Sequence, residues 1–347
     1  MDSASRSSGA RTPNGAEDRT RDLLVAAGVI AAAAASWAIA LGVLDRGATP
    51  APTGTFAGSP AARVERRPVL FVVRSRPDGG ADSPTVALPI ASVDPGGAVR
   101  PPVPLASTDE SRRAIAATFA ADYLGNGTPL RLLYGGAVAG TLRFAGPSPD
   151  VDPLAARVAS DPTSRADVLT TSTEDLLAMS DMRYGASASG ARPLRSTHVA
   201  AVEQLARTVA RERYPNAQVE SVDIVRVRVA DLDRAGAPEL LASVSVKLRF
   251  DAHRETTAAL FILGEAAGTG STSASGGDGV HPAYVLALDT AGAGDGFAFV
   301  DQVDLTASSF DEVVVRADQG GASRYLVLER GRDGWSEAAS TPPVSAR

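Results

Sequence analysis

The chain has 347 residues, a formal net charge of −6, 44% hydrophobic and 21% charged residues, and no cysteine. That length and apolar share suffice for about two domains, and the negative balance excludes a basic field for nucleic acid over the protein as a whole. Without cysteine there is no disulfide, thiolate metal site, cysteine nucleophile or lipidated cysteine anchor.

Residues 1–22 are polar and without periodicity, as expected of a disordered tail. Residues 23–44, "LLVAAGVIAAAAASWAIALGVL", carry no charge. As an α-helix the run spans roughly 33 Å, about one hydrocarbon core. A buried soluble helix would show a polar face, and only Ser36 and Trp37 interrupt this one. A cleaved signal peptide has a shorter apolar region with a small-residue cleavage site close behind it. The expectation is a retained single-pass transmembrane helix. Arg6, Arg11, Arg19 and Arg21 precede it and only Arg46 follows at once, which places the N-terminus in the cytoplasm and the bulk of the chain outside.

Residues 45–67 read as a linker rich in Pro, Gly, Ala and Thr, and residues 68–195 as a small α+β region with long loops. "VLFVV" at 69–73 predicts a strand. Residues 107–124 predict a helix: Ser107 and Glu110 form a capping box, and Ile115, Phe119 and Tyr123 make an apolar stripe. "LRLLYGGAVAGTLRF", 130–144, predicts two strands joined or bulged at Gly135, Gly136 and Gly140. "STEDLLAMS" predicts a short helix, since Thr171 stands three residues before Glu174. A second clear helix is predicted over 197–213, with Val199, Val202, Leu205 and Val209 on one face and Pro215 past its end. From 219 the pattern alternates as strands do, interrupted by the low-complexity segment 265–280. The expected fold class is therefore α+β. The N-terminal transmembrane helix and small α+β unit would be followed, over 196–340, by an antiparallel β domain covered by helix 197–213.

Inside that last region is an internal repeat. Asp231-Leu232 stands eight residues before Glu239-Leu240, Asp304-Leu305 stands eight before Glu312-Val313, and the offset between the copies is 73 residues. "VADLDRAGAPELLASV" and "VDQVDLTASSFDEVVVR" resemble FG-GAP or VCBS-type repeats, the blade units of integrin-α-like β-propellers. The resemblance implies a strand–turn–strand unit whose acids hold calcium in a turn of the form Asp-x-Asp-x-Asp-Gly-x-x-Glu. In the first copy Asp231, Asp233 and Gly236 match, Glu239 sits near the family's acid, and Ala235 replaces the third aspartate. In the second, Asp304 and Glu312 match, while Thr306, Ser308 and Ser309 replace two acids and the glycine. Calcium takes six to eight oxygen ligands. The metal candidates are thus Asp231, Asp233 and Glu239 in a degenerate loop. No cofactor is expected, calcium being the one ion the loop suggests, and the favoured reading is a turn kept for its shape. Two copies cannot close a propeller, which needs about four blades or more, so an open sheet or a packed pair of sheets is expected.

His198, His253 and His281 stand outside any metal-ligand spacing, and no nucleophile elbow, dinucleotide loop or phosphate-binding Lys-Ser/Thr motif occurs. No catalytic residue is assigned. The expected function is a single-pass membrane-anchored extracytoplasmic binding or scaffold protein of the bacterial cell envelope. Its partners would be the membrane, through 23–44, and an envelope protein or glycan. The alternative is an envelope hydrolase working through carboxylates such as Asp231 and Glu239.

Overall fold

The computed structural model describes residues 66–74, 85–103, 109–149, 151–160, 175–187, 192–251, 253–266, 280–289 and 291–345. The chain divides into a unit 1–64, outside the described residues, and a compact unit Glu65–Arg347. The run 23–44 lies in the first of these, as do the tail and most of the linker. Among the described residues no helix is long and apolar enough to cross a membrane.

The α+β expectation is overturned: the described chain is mostly β, with two helices among sixteen strands. The first seven strands are β1 (Val69–Arg74), β2 (Val86–Val93), β3 (Val99–Arg100), β4 (Pro129–Tyr134), β5 (Ala137–Pro147), β6 (Ala156–Ser160) and β7 (Leu176–Met179). Helix α1, Asp109–Tyr123, stands between β3 and β4. The strands pair in the order β1-β7-β4-β5-β6-β2, and β2 returns to β1, which closes a six-stranded barrel with β3 appended to β2. The small α+β region is thus a barrel with one helix. The short helix expected in "STEDLLAMS" is also corrected, because Leu176–Met179 form β7, buried throughout. Four consecutive apolar residues suit a strand covered on both faces, and such a run carries no helical periodicity.

Alternation explains the barrel. Val69, Phe71 and Val73 of β1 join Leu130, Leu132, Leu142, Phe144 and Ala178 in an interior cluster that Phe119 of α1 also enters. Leu70 and Val72 point the other way and pack with Ile90, Leu177 and Met179 on the outer face. Successive side chains of a strand face opposite sides, so "VLFVV" is continuous because both faces of β1 are covered.

Helix α2, Ser196–Arg213, precedes a four-stranded sheet of β8 (Gln218–Ala230), β9 (Glu239–Asp251), β10 (Arg254–Ala266) and β11 (Val280–Leu288), ordered β11-β10-β9-β8. Val202, Leu205 and Val209 pack against Leu240, Val244, Leu260 and Ile262 of this sheet. The other face of the sheet, with Leu241, Phe261 and Leu263, packs on a third sheet through Phe299, Val313, Val315, Leu326 and Leu328. That third sheet holds β12 (Gly296–Val303), β13 (Glu312–Gln319), β14 (Ala322–Gly331), β15 (Gly334–Ser340) and β16 (Val344–Ser345). Its far face, with Val314, Tyr325 and Val327, meets the outside of the barrel. The layers therefore run helix, sheet, sheet, barrel. A buried polar network pins the last junction: Asp175 accepts from Tyr325 (2.8 Å) and pairs with Arg316 (2.7 Å) and Arg74 (3.3 Å).

Candidate functional site: the paired acidic turns

The two repeat copies have one backbone plan. In the first, Ala230 pairs with Glu239, Val229 with Leu240 and Arg228 with Leu241. In the second, Val303 pairs with Glu312, Gln302 with Val313 and Asp301 with Val314. Each partner is displaced by the same 73 residues. Among the described residues two that are not glycine have positive φ, Arg234 at 56° and Ala307 at 52°, and they occupy the same place in the two turns. Each turn is closed by its glutamate: Glu239 Oε2 accepts from Leu232 N at 2.7 Å, and Glu312 Oε2 from Leu305 N at 2.7 Å. Leu232 and Leu305 are fully buried, in clusters on opposite faces of the third sheet.

Burial sets the electrostatics. It pushes the Glu239 carboxyl up to about 7, against the Leu232 N–H bond that favours the ionised form, and Asp233 and Asp231 push the same way as burial. It pushes Glu312 up to about 7 as well, opposed by Leu305 N–H and the Thr306 hydroxyl.

Asp231, Asp233 and Glu239 converge, as the sequence suggested, with ligating atoms within 4.8 Å of one another. Most of their capacity is already used. Asp231 Oδ1 accepts from Gly236 N (3.1 Å) and its Oδ2 from the Arg192 guanidinium. Asp233 Oδ1 accepts from Ala235 N at 2.9 Å, as an aspartate at a turn commonly does two residues on. The positive charge that a calcium ion would bring to Asp231 is supplied by Arg192. The second turn shows the same substitution. The Arg234 guanidinium crosses from the first turn to Asp304 (2.7 Å) and Asp311 (2.9 Å), and its Nη1 donates to Ser308 O (3.3 Å). Asp311 N donates to Leu232 O at 2.9 Å, so the turns are bolted to each other.

The barrel reaches the same place. Gly185 N donates to Asp304 O (3.0 Å), and Ser187 donates through its hydroxyl to Asp311 and through its N–H to Gly136 O (2.7 Å). Gly185 has φ +96°, and a Cβ there would come within 2.6 Å of Met179 Cγ, so the segment after β7 makes this close approach with glycine. The β4–β5 hairpin turns on Gly135 and Gly136, φ 61° and 75°, the two-residue turn that needs positive φ twice. Its Gly136 N donates to Asp301 Oδ1 at 3.1 Å.

The sequence led to the three carboxylates but not to the arginines that neutralise them, nor to Asp301, Ser187 and Asp311. A partner 39 or 70 residues away leaves no trace in local spacing. His198 caps α2, its Nδ1 accepting from Arg195 N at 3.2 Å. Trp335 is buried and donates to Glu265 at 3.0 Å.

The pairing with Arg192 gives a direct expectation for calcium. A ligand at a hundredfold excess over its dissociation constant stabilises a fold by about 2.7 kcal/mol, and weak extracellular calcium sites work near 10⁻⁴–10⁻³ M. Melting curves with about 5 mM calcium and with chelator should coincide to about a degree. A rise of several degrees that Asp231→Ala abolishes would show a working metal site instead.

No protein family, curated protein or solved structure matches this chain, so the resemblance of the two turns to FG-GAP repeats rests on the motif residues alone.

Proposed function

We propose that this protein is an extracytoplasmic binding or scaffold module of the bacterial cell envelope. The observation that carries the reading is that both acidic turns spend their carboxylates inside the chain, on Arg192, Arg234 and backbone N–H groups. Such turns lock sheets together and leave the outer surface for a partner, an envelope protein or glycan. The localisation side of the proposal rests on the uncharged run 23–44 and its arginine flanks, outside the described residues.

A second reading, a hydrolase using Asp231 and Glu239, is favoured by one fact: a carboxyl raised to about 7 stands beside a second carboxylate. The duplicate turn argues against it. Glu312 makes the same bond and is likewise pushed up to about 7, chiefly by burial, without two further acids in ligand range among the described residues. The shared feature is therefore a consequence of closing the turn.

Cross-linking of the full chain in intact cells tests the proposal, with a discrete envelope protein or glycan expected in the product. Turnover of ester, glycoside or peptide substrates that Glu239→Gln abolishes would replace it with the hydrolase.

A further inference from the structure

We propose that two copies of this chain associate through β11, edge to edge and antiparallel, so that two four-stranded sheets become one continuous sheet. β11 and β8 are the two edges of that sheet. They are unlike. β8 carries Glu220, Asp223, Arg226 and Arg228, and its pairing with β9 shifts register at two places. At the second shift Val225 is thrown out of the sheet, 69% exposed. Arg192 N donates to Val229 O at 2.9 Å, which takes up part of the β8 main chain as well. Charges and bulges of this kind keep an edge from accepting a further strand.

The second half of β11 has none of these guards. Val280–Leu288 holds no Asp, Glu, Lys or Arg. Pro282 and the one register shift lie in the first half, and Tyr284–Leu288 run in unbroken register with β10, from Leu263 to Ala259. Among the described residues β11 pairs with no other strand. Tyr284, Leu286 and Leu288 are half-buried toward the third sheet, and Val285 and Ala287 toward α2. A two-fold axis at Leu286 sets Tyr284 against Leu288 of the second copy, Val285 against Ala287, and Leu286 against itself. Opposed residues then share a face, so each apolar face continues across the junction. Asp289, which accepts from Arg213 (2.9 Å) and Tyr214 (2.7 Å), falls opposite Ala283 and meets no like charge. Electrostatics select β11 of the second copy over its β8. An uncharged strand laid on β8 strips water from charged side chains and returns no counter-charge. The β11 pairing is isologous, so it closes at two copies, and the blunted β8 edges prevent growth beyond them.

The pairing is independent of what the module binds, since it sets only how many copies present the surface. The chain has no cysteine, so one introduced cysteine reports the register. Opposed Cα atoms of antiparallel strands stand roughly 4.5–5.5 Å apart, within reach of a disulfide. Full chains carrying Leu286→Cys, in detergent and oxidised with diamide, should form at least about tenfold more covalent dimer than chains carrying Val225→Cys on the β8 edge, where no such pairing brings two thiols together. Association through residues 23–44 raises both yields alike and so leaves the ratio unchanged. A mixture of Tyr284→Cys and Leu288→Cys chains should link, while each alone should not, because its two copies of the cysteine lie roughly 13 Å apart along the strands. This mixture keeps the test open if Leu286→Cys fails to fold, which a melting curve shows. The proposal is overturned if Leu286→Cys links no better than Val225→Cys, or if the mixture links no better than its components. It is overturned too if Leu286→Cys carrying a benzophenone maleimide links in intact cells to another envelope protein and not to a second copy, which assigns the edge to a foreign strand.

Discussion

Replacing Arg234 by alanine is expected to destabilise the fold by about 3 kcal/mol, the scale of breaking a buried ion pair by removing one partner, which lowers the melting temperature of a unit this size by roughly 6–10 °C. The reason lies in what remains. The Asp311 side chain is fully buried and Asp304 is 17% exposed, and both lose their guanidinium at once. Alanine is a clean probe here because Ala307 already holds the matching place in the second turn, at nearly the same φ. The backbone cost is therefore little changed and the loss reports the side chain. Arg234→Lys should recover only part of it, since one ammonium cannot bridge two carboxylates and a carbonyl as a planar fork does. An Arg234→Ala protein melting within a degree or two of wild type would show that the junction of the turns is held elsewhere.

The second large effect concerns pH and runs against ordinary acid denaturation. Glu239 and Glu312 titrate near 7 in the fold against an ordinary value of 4.5, and Asp301 near 6 against 3.8, in each case chiefly through burial. A carboxyl whose folded value is raised binds its proton more tightly in the folded state. Its contribution is therefore fully present below about pH 4.5 and is lost as pH rises through about 7. The fold should gain stability on acidification from pH 8 to pH 5. Glu312, almost completely buried, contributes on the order of 2–3 kcal/mol, and Glu239 a smaller, solvent-screened share. At still lower pH other acids reverse the trend: a hydrogen bond from Arg183 holds Asp181 below the usual carboxylate range, and that contribution disappears on protonation. Denaturant unfolding at pH 8 and pH 5.5 measures the difference. The double variant Glu239→Gln, Glu312→Gln keeps an oxygen for Leu232 N–H and Leu305 N–H, so it should be more stable than wild type at pH 8 and nearly equal at pH 5.5. Equal pH slopes for the two proteins would remove these glutamates from the account.

What could be read from the sequence follows a physical division. The helix at 197–213 was legible because Val202, Leu205 and Val209 repeat at helical spacing and face one sheet. The turns were legible because each copy carries its closing glutamate at a fixed distance from its aspartate. The barrel's closure was not. β1 and the β4–β5 pair were read as strands, but β2 and β7 are buried on both faces and lack the alternation that marks a strand, and "STEDLLAMS" offered a capping box with nothing to contradict it. The arginines of the site were illegible for a different reason. A surface arginine and one that crosses to a sister turn look alike until the fold brings 234 beside 304 and 311.

The layer order also sets a timetable for synthesis. The barrel has all six of its closing strands once residue 179 has emerged. Among the described residues its outer face, with Leu70, Val72, Ile90, Leu177 and Met179, packs against residues made much later, among them Val303, Leu305, Val314, Tyr325, Val327, Ala339 and Val344. At about 5–20 residues per second, the roughly 150 residues between those points take on the order of 7–30 s. For that interval a nascent chain holds a closed barrel with a bare apolar flank, which is the window in which a holding chaperone, or export in an unfolded state, would have to keep neighbouring chains apart.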